Sequence, residues 1–194
     1  MPRKYVLSLI LVTILFFGGI FILVRFISGG NKNSQPKQPK TTQVQKVNKL
    51  SSDGQSVSYT VYGRLVGEED RRAIRITITG SERKVEVLQG YDESVLKSDS
   101  FSNKSSAFND FLLALEGANF TRRDTSIKVD DKGICPLGNR YVFEAQYNDN
   151  SKIRTFSTSC SAKNVSFKGE RSTIDTLFKA QIPNYSGLTS NIQL

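Results

Sequence analysis

Twenty consecutive residues, Tyr5 to Val24, are uncharged and almost entirely apolar, and the first 52 residues hold eight basic side chains but no Asp or Glu. At about 1.5 Å per residue, a helix of this length covers about 30 Å, the hydrocarbon thickness of a bilayer. The run therefore reads as a single transmembrane anchor, placed at residues 5–27 behind a basic tail at residues 1–4. It is too long for the apolar region of a cleaved secretory signal, and Ser28-Gly29-Gly30 makes a poor cleavage site beyond Arg25. A buried core helix is the weaker alternative, because a soluble domain of this size rarely needs a helix that is apolar on every side.

Charge is segregated along the chain. Of the formal +9, the N-terminal part carries +8 and everything from Asp53 onward only +1. Residues 28–55 are rich in Gly, Asn, Gln, Ser, Lys and Pro, cannot bury enough surface to fold, and read as a basic linker about 25–30 Å from end to end. Lys32, Lys37, Lys40, Lys46 and Lys49 offer attraction to anionic lipid or wall polymer; the other reading is a solvated spacer. The overall pI of about 9.6 invites a nucleic-acid function, yet the domain itself lacks a uniform positive field.

From Ser56 onward the sequence predicts an α+β domain, residues 56–194, with an antiparallel sheet. Val57, Tyr59 and Val61 alternate with Ser58, Thr60 and Tyr62, as expected of a half-buried strand. The same period recurs at Ile74, Ile76 and Ile78, and at Val85 and Val87, which suggests a three-stranded meander turning at Gly67–Arg71 and Gly80-Ser81. A polar stretch, residues 92–104, follows. Helical spacing begins at Ala107, Phe108, Phe111, Leu112 and Leu115, with Ser105 or Ser106 as cap and Gly117 as the left-handed end, across the sheet.

A second helix is expected at Ser172–Gln181, with Ser172 and Asp175 at capping-box spacing and Pro183 as the stop. Between the helices lies a hairpin, Arg140–Tyr147 and Lys152–Ser159. A two-residue Asp149-Asn150 turn would set Phe143 against Phe156, and a longer loop would set Tyr147 near Ile153. Short strands are expected at Ile127-Lys128-Val129 and Val165-Ser166-Phe167.

Cys135 precedes this hairpin and Cys160 follows it, so strand pairing brings both to its open end, where a disulfide is natural. Such a bridge implies an oxidising compartment. The basic residues flanking the apolar run point instead to a cytoplasmic domain, but that rule weakens for long translocated domains; the balance favours an exported domain at the cell membrane.

The chain contains no His, which excludes Ser-His-Asp and Cys-His catalysis and histidine-ligated zinc. It has neither a GxGxxG nor a GxxxxGK loop, and Asp130-Asp131 and Glu68-Glu69-Asp70 lack EF-hand spacing and read as solvated turns. No catalytic, cofactor or metal residue is singled out. A hydrolase using carboxylates alone is one alternative. A single-strand nucleic-acid surface built on Tyr62 and Arg75, with Arg71-Arg72, Arg83-Lys84 and Arg122-Arg123 nearby, is another. The preferred reading is a non-catalytic envelope binding or structural module with an unknown protein or glycan partner.

The short basic start, the single span, the Pro/Gln/Lys stalk, the segment GICPLGNRYVFEA with its returning TFSTSC, and the closing LFKAQIPNY together resemble single-pass membrane-anchored proteins of ultrasmall bacteria of the Saccharibacteria type. The resemblance covers most of the chain. It implies an outward-facing anchored domain and transfers no activity or binding residue, since that group has none assigned.

Overall fold

The computed structural model describes residues 55–128, 130–147, 150–160 and 164–194. Among these residues six antiparallel strands form one sheet: β1 (Ser56–Tyr62), β2 (Arg72–Thr79), β3 (Glu82–Gln89), β4 (Ser94–Ser102), β5 (Arg140–Gln146) and β6 (Lys152–Thr158), in the spatial order β4-β3-β2-β1-β5-β6. The helices are α1 (Ser105–Gly117), α2 (Arg171–Ala180) and a single turn and a half, α3 (Tyr185–Thr189). None of these helices is long and apolar enough to cross a membrane; the predicted anchor and the predicted linker as far as Gly54, with the five lysines of the latter, lie outside the described residues, while Gln55, predicted to end the linker, is buried.

The meander is present, with one strand more than the alternation suggested. β4 occupies the polar stretch 92–104, where Ser, Lys and Asp conceal a strand that is exposed on both sides at the sheet edge. Because β5 pairs with β1 on the side opposite β2, β1 becomes central. It is buried on both faces rather than one: Thr60 and Tyr62 are as inaccessible as Val57 and Tyr59.

One face of the sheet carries the main core. Val57, Tyr59, Ile76, Ile78, Phe143 and Ala145 meet Phe108, Phe111, Leu112 and Leu115 of α1 and Ile174 and Phe178 of α2. Phe178 is fully buried, edge-on to Phe111 and against Tyr59 and Phe120, and burying a side chain of this size contributes about 2–3 kcal/mol. The helix stripe predicted for α1 is buried apart from Ala107, which is exposed.

Helix termini depart from the expected caps. Lys104, not Ser105 or Ser106, is the N-cap of α1, without a side-chain cap, and Gly117 is helical; Asn119 at φ 57° is the left-handed residue that turns the chain. α2 starts from Glu170, again without a side-chain cap. Asp175 makes no capping box because Tyr59 Oη donates to it at 2.8 Å and Lys179 Nζ at 2.8 Å, long-range and i+4 partners outcompeting the local one.

The β5–β6 hairpin adopts neither predicted register. Val142 lies opposite Phe156 and Phe143 opposite Thr155. Tyr147 N–H donates to Ser151 at 2.9 Å and Asn150 sits at φ 60°, so three residues close the turn and the left-handed position falls on Asn150. The Val165–Phe167 segment makes only an isolated bridge, Arg123 to Phe167, because Phe156 N–H is taken by the Ser166 hydroxyl. Ile127 and Lys128 form no strand, and Val129 lies outside the described residues.

Cys135 and Cys160 are bridged, with Cα atoms 5.7 Å apart. The site admits only a glycine at 138, where a Cβ would stand 2.7 Å from Cys135 Sγ and 2.4 Å from Ser159 Oγ. The bridge ties the loop entering β5 to the chain leaving β6.

Candidate functional site

Among the described residues no helix covers the second face of the sheet. Strand alternation brings to it Ser56, Ser58, Thr60 and Tyr62 of β1, Arg75 and Thr77 of β2, Lys84 and Glu86 of β3, Arg140 and Glu144 of β5, and Lys152 and Arg154 of β6. Toward the disulfide end a small apolar group, Tyr62, Ala73, Leu88, Val142 and Phe156, is roofed by Ile134 and Val165. Toward the other end lies a depression of about 430 Å³ lined by Ser58, Tyr62, Arg75, Glu93, Glu144 and Arg154, among others.

Two charge clusters frame this depression. In the first, Glu93 receives the Tyr62 hydroxyl at 2.7 Å and pairs with the Arg75 guanidinium. Glu93 stands at φ 59°, a left-handed conformation that costs a residue with a Cβ about 1–2 kcal/mol; its two partners offset that cost and aim the carboxylate into the depression. Burial, then the hydrogen bond and charge of Glu93, push the Tyr62 hydroxyl up to about 12, against the opposing charge of Arg75.

The second cluster is centred on Asp131, whose side chain is 2% exposed. Its carboxylate lies 2.9 Å from Arg140 Nε and pairs with Arg154 Nη1, while Arg140 Nη1 donates to its carbonyl at 3.2 Å. Burial alone would raise this carboxyl; the hydrogen bond and charge of Arg154, with the charge of Arg140, hold it below the usual aspartate range. Arg154 also reaches Glu144 at 3.3 Å, and Glu144 further accepts from Lys152 at 2.7 Å and from the Ser58 hydroxyl at 3.3 Å.

Several sequence expectations change here. Asp131 is not a solvated turn residue but the most buried acid of the face, because Arg140 and Arg154 of the β5–β6 hairpin close over its carboxylate. Glu68, Glu69 and Asp70 do form an exposed turn, in which Glu68 accepts the Tyr91 N–H at 2.8 Å. Tyr62 is 5% exposed, with the Arg140 and Arg71 guanidinium groups 4.4 and 5.3 Å from its ring centre, so it presents no free surface for a stacked base. Arg71 itself is buried, packed 4.4 Å from the Tyr91 ring and donating to the Gly90 carbonyl at 2.6 Å.

Glu93, Glu144 and Arg154 were not singled out by sequence reasoning. Their signal is the strand period, which puts Glu144 and Arg154 opposite in facing to Phe143 and Ile153, but the pairing that joins them depends on hairpin register. Among the described residues no group of three acidic or cysteine side chains is placed to hold a metal ion. The arrangement is chemically a polar recognition surface, with hydroxyls, guanidinium groups and carboxylates at fixed positions around a shallow depression. No protein-family model matches the chain, and no curated protein matches it.

Proposed function

We propose that this chain is a single-pass, membrane-anchored protein whose α+β domain lies outside the cytoplasm and serves as a non-catalytic binding or structural module of the cell envelope. One observation carries the binding role: the open face holds a polar depression lined by Glu93 and Glu144, each matched by cations of the same face, with Arg154 at its wall held by the buried Asp131. Such a surface suits a neutral or zwitterionic polar polymer, a glycan above all, which exchanges hydrogen bonds with it without leaving a buried charge unpaired. The outward location is supported by the Cys135–Cys160 bridge and by the apolar run Tyr5–Val24.

Two measurements test this reading. Thiol labelling of intact cells after mild reduction modifies Cys135 and Cys160; modification only after lysis would overturn the location. Co-sedimentation of the full-length protein with purified wall glycan falls when Arg75 and Lys152 are both replaced by Ala, and equal sedimentation of wild type and variant would remove the open face as the binding surface.

A carboxylate-only hydrolase is the second reading, favoured by Glu93 and Glu144 lining one depression. It requires one of them to act as a proton donor. Release of reducing ends from wall glycan by the wild type, lost in Glu144→Gln, would establish it.

A further inference from the structure

β4 is a terminal strand. It pairs with β3 on one side and, among the described residues, with no strand on the other. It runs for nine residues, SVLKSDSFS, and exposes Val95 and Leu96 by more than half. An edge of this kind is a template for a further strand, and proteins usually blunt it with an inward charge, a bulge or a covering element. Here a bulge does occur near Leu96, and Lys97 is the single cation of the strand.

A lysine in an edge strand discourages pairing when it would face an apolar or like-charged neighbour. On β4 the same strand supplies the opposite charge two residues on, at Asp99, with Ser98 between them. Lys97 and Asp99 share one face, and their own contact is loose, 3.8 Å, with side chains 52% and 38% exposed. If two copies of β4 run antiparallel about a twofold axis at Ser98, each Lys97 stands directly opposite the other copy's Asp99, and Leu96 opposite Ser100. Moving the axis to Lys97 or to Asp99 sets like charges against each other, which is destabilising. An axis between residues would put side chains on mismatched faces.

We propose that β4 is a self-association edge, through which two copies of this chain join their sheets by antiparallel β4–β4 pairing centred on Ser98. The occupant is a second copy because the charge pattern is complementary to itself under the symmetry that such a dimer requires. This goes beyond the open-face reading and does not depend on it: the edge and the depression are separate surfaces.

The test uses the full-length protein in the membranes of the expressing cell, with Ser98→Cys and mild copper-catalysed oxidation read on a non-reducing gel. Across a twofold at this position the two Cα atoms come within about 4.5–5.5 Å, inside disulfide reach. A covalent dimer is expected, well above that from Ser126→Cys, an exposed control on a loop away from β4. Adding Lys97→Asp to Ser98→Cys should cut the yield about tenfold, because two cross-strand pairs become repulsive at once. Adding Asp99→Lys to that variant should restore it. A Ser98→Cys yield no greater than the control, the result expected if another protein's extended segment occupies the edge, would overturn the proposal. So would a yield indifferent to charge reversal, or one that the double reversal fails to recover.

Discussion

The two faces of one sheet solve burial in opposite ways. On the helix-covered face, Tyr59 stacks on Phe143 and tilts against Phe178 of α2, a contact set held by shape and apolar area. On the open face the strands carry the same alternation, but there a small apolar group, Tyr62, Ala73, Leu88, Val142 and Phe156, is joined by ion pairs of Arg140 with the loop residue Asp131 and of Arg154 with Asp131 and Glu144. The difference teaches where specificity resides. A packed face tolerates only replacements of similar volume, whereas a face built of paired charges can exchange partners, and so can accept a polar ligand.

The largest expected effect lies on the packed side. Phe178→Ala should destabilise the protein by about 4 kcal/mol, since the ring is fully buried among Tyr59, Phe111 and Phe120 and its removal leaves a cavity. Urea denaturation measures it, and a loss below about 1 kcal/mol would mean that the face repacks and is not the jigsaw described.

Next comes the buried acid of the open face. Asp131→Ala should cost about 3 kcal/mol, because it strands Arg140 next to an apolar group with no counter-charge. The pH dependence has a definite sign. The native carboxyl is held below its unfolded value, so its contribution is fully present above the ordinary aspartate value of about 3.9 and is lost as pH falls through the lowered native value. Acid unfolding of wild type and Asp131→Asn, followed by circular dichroism, should differ by that one steep component; superimposable pH profiles would remove Asp131 as the keystone of the cluster.

Replacing Cys135 and Cys160 together by Ser should cost about 2.5 kcal/mol, somewhat under the chain-entropy value for this loop, because Ser159 N–H to Asn139 O at 2.9 Å already closes the hairpin end. Hydrogen exchange should show the 131–139 loop opening before β1 and β2. Uniform loosening of the whole sheet would show instead that the bridge supports both faces equally. The smallest effect is expected for Arg75→Ala, below about 1 kcal/mol, since the Arg75–Glu93 pair is about one-third exposed. A larger loss would indicate that this pair restrains the left-handed Glu93 and with it the β3–β4 turn.

Legibility in the sequence follows the range of the interaction. Alternation at Val57–Tyr62 and Ile74–Ile78, and helical spacing at Phe108–Leu115, are readable because each depends only on which neighbours share a face. β4 was concealed because an edge strand exposed on both sides needs no apolar period. The hairpin register was missed because a three-residue loop with Asn150 left-handed differs from the alternatives by one residue, and one residue exchanges every cross-strand partner. Of the candidate site, Tyr62 and Arg75 were placed on the correct face, but the burial of Tyr62 under two guanidinium groups was not visible, since Arg71 reaches it from the β1–β2 loop and Arg140 from a strand distant in sequence.

The amino-acid order by itself determined the period-two strands, the apolar stripes of the two longer helices, the nearness of Cys135 to Cys160 across a hairpin, and the exclusion of histidine chemistry. All are set by covalent geometry, local turns or composition. Only the tertiary structure decided that β5 docks beside β1, that helices cover one face and leave the other to ion pairs, and that Asp131 is drawn beneath Arg140 and Arg154. These are choices among contacts between segments distant in sequence, settled by the burial of apolar area on the helix-covered face and by the pairing of the buried Asp131 with Arg140 and Arg154.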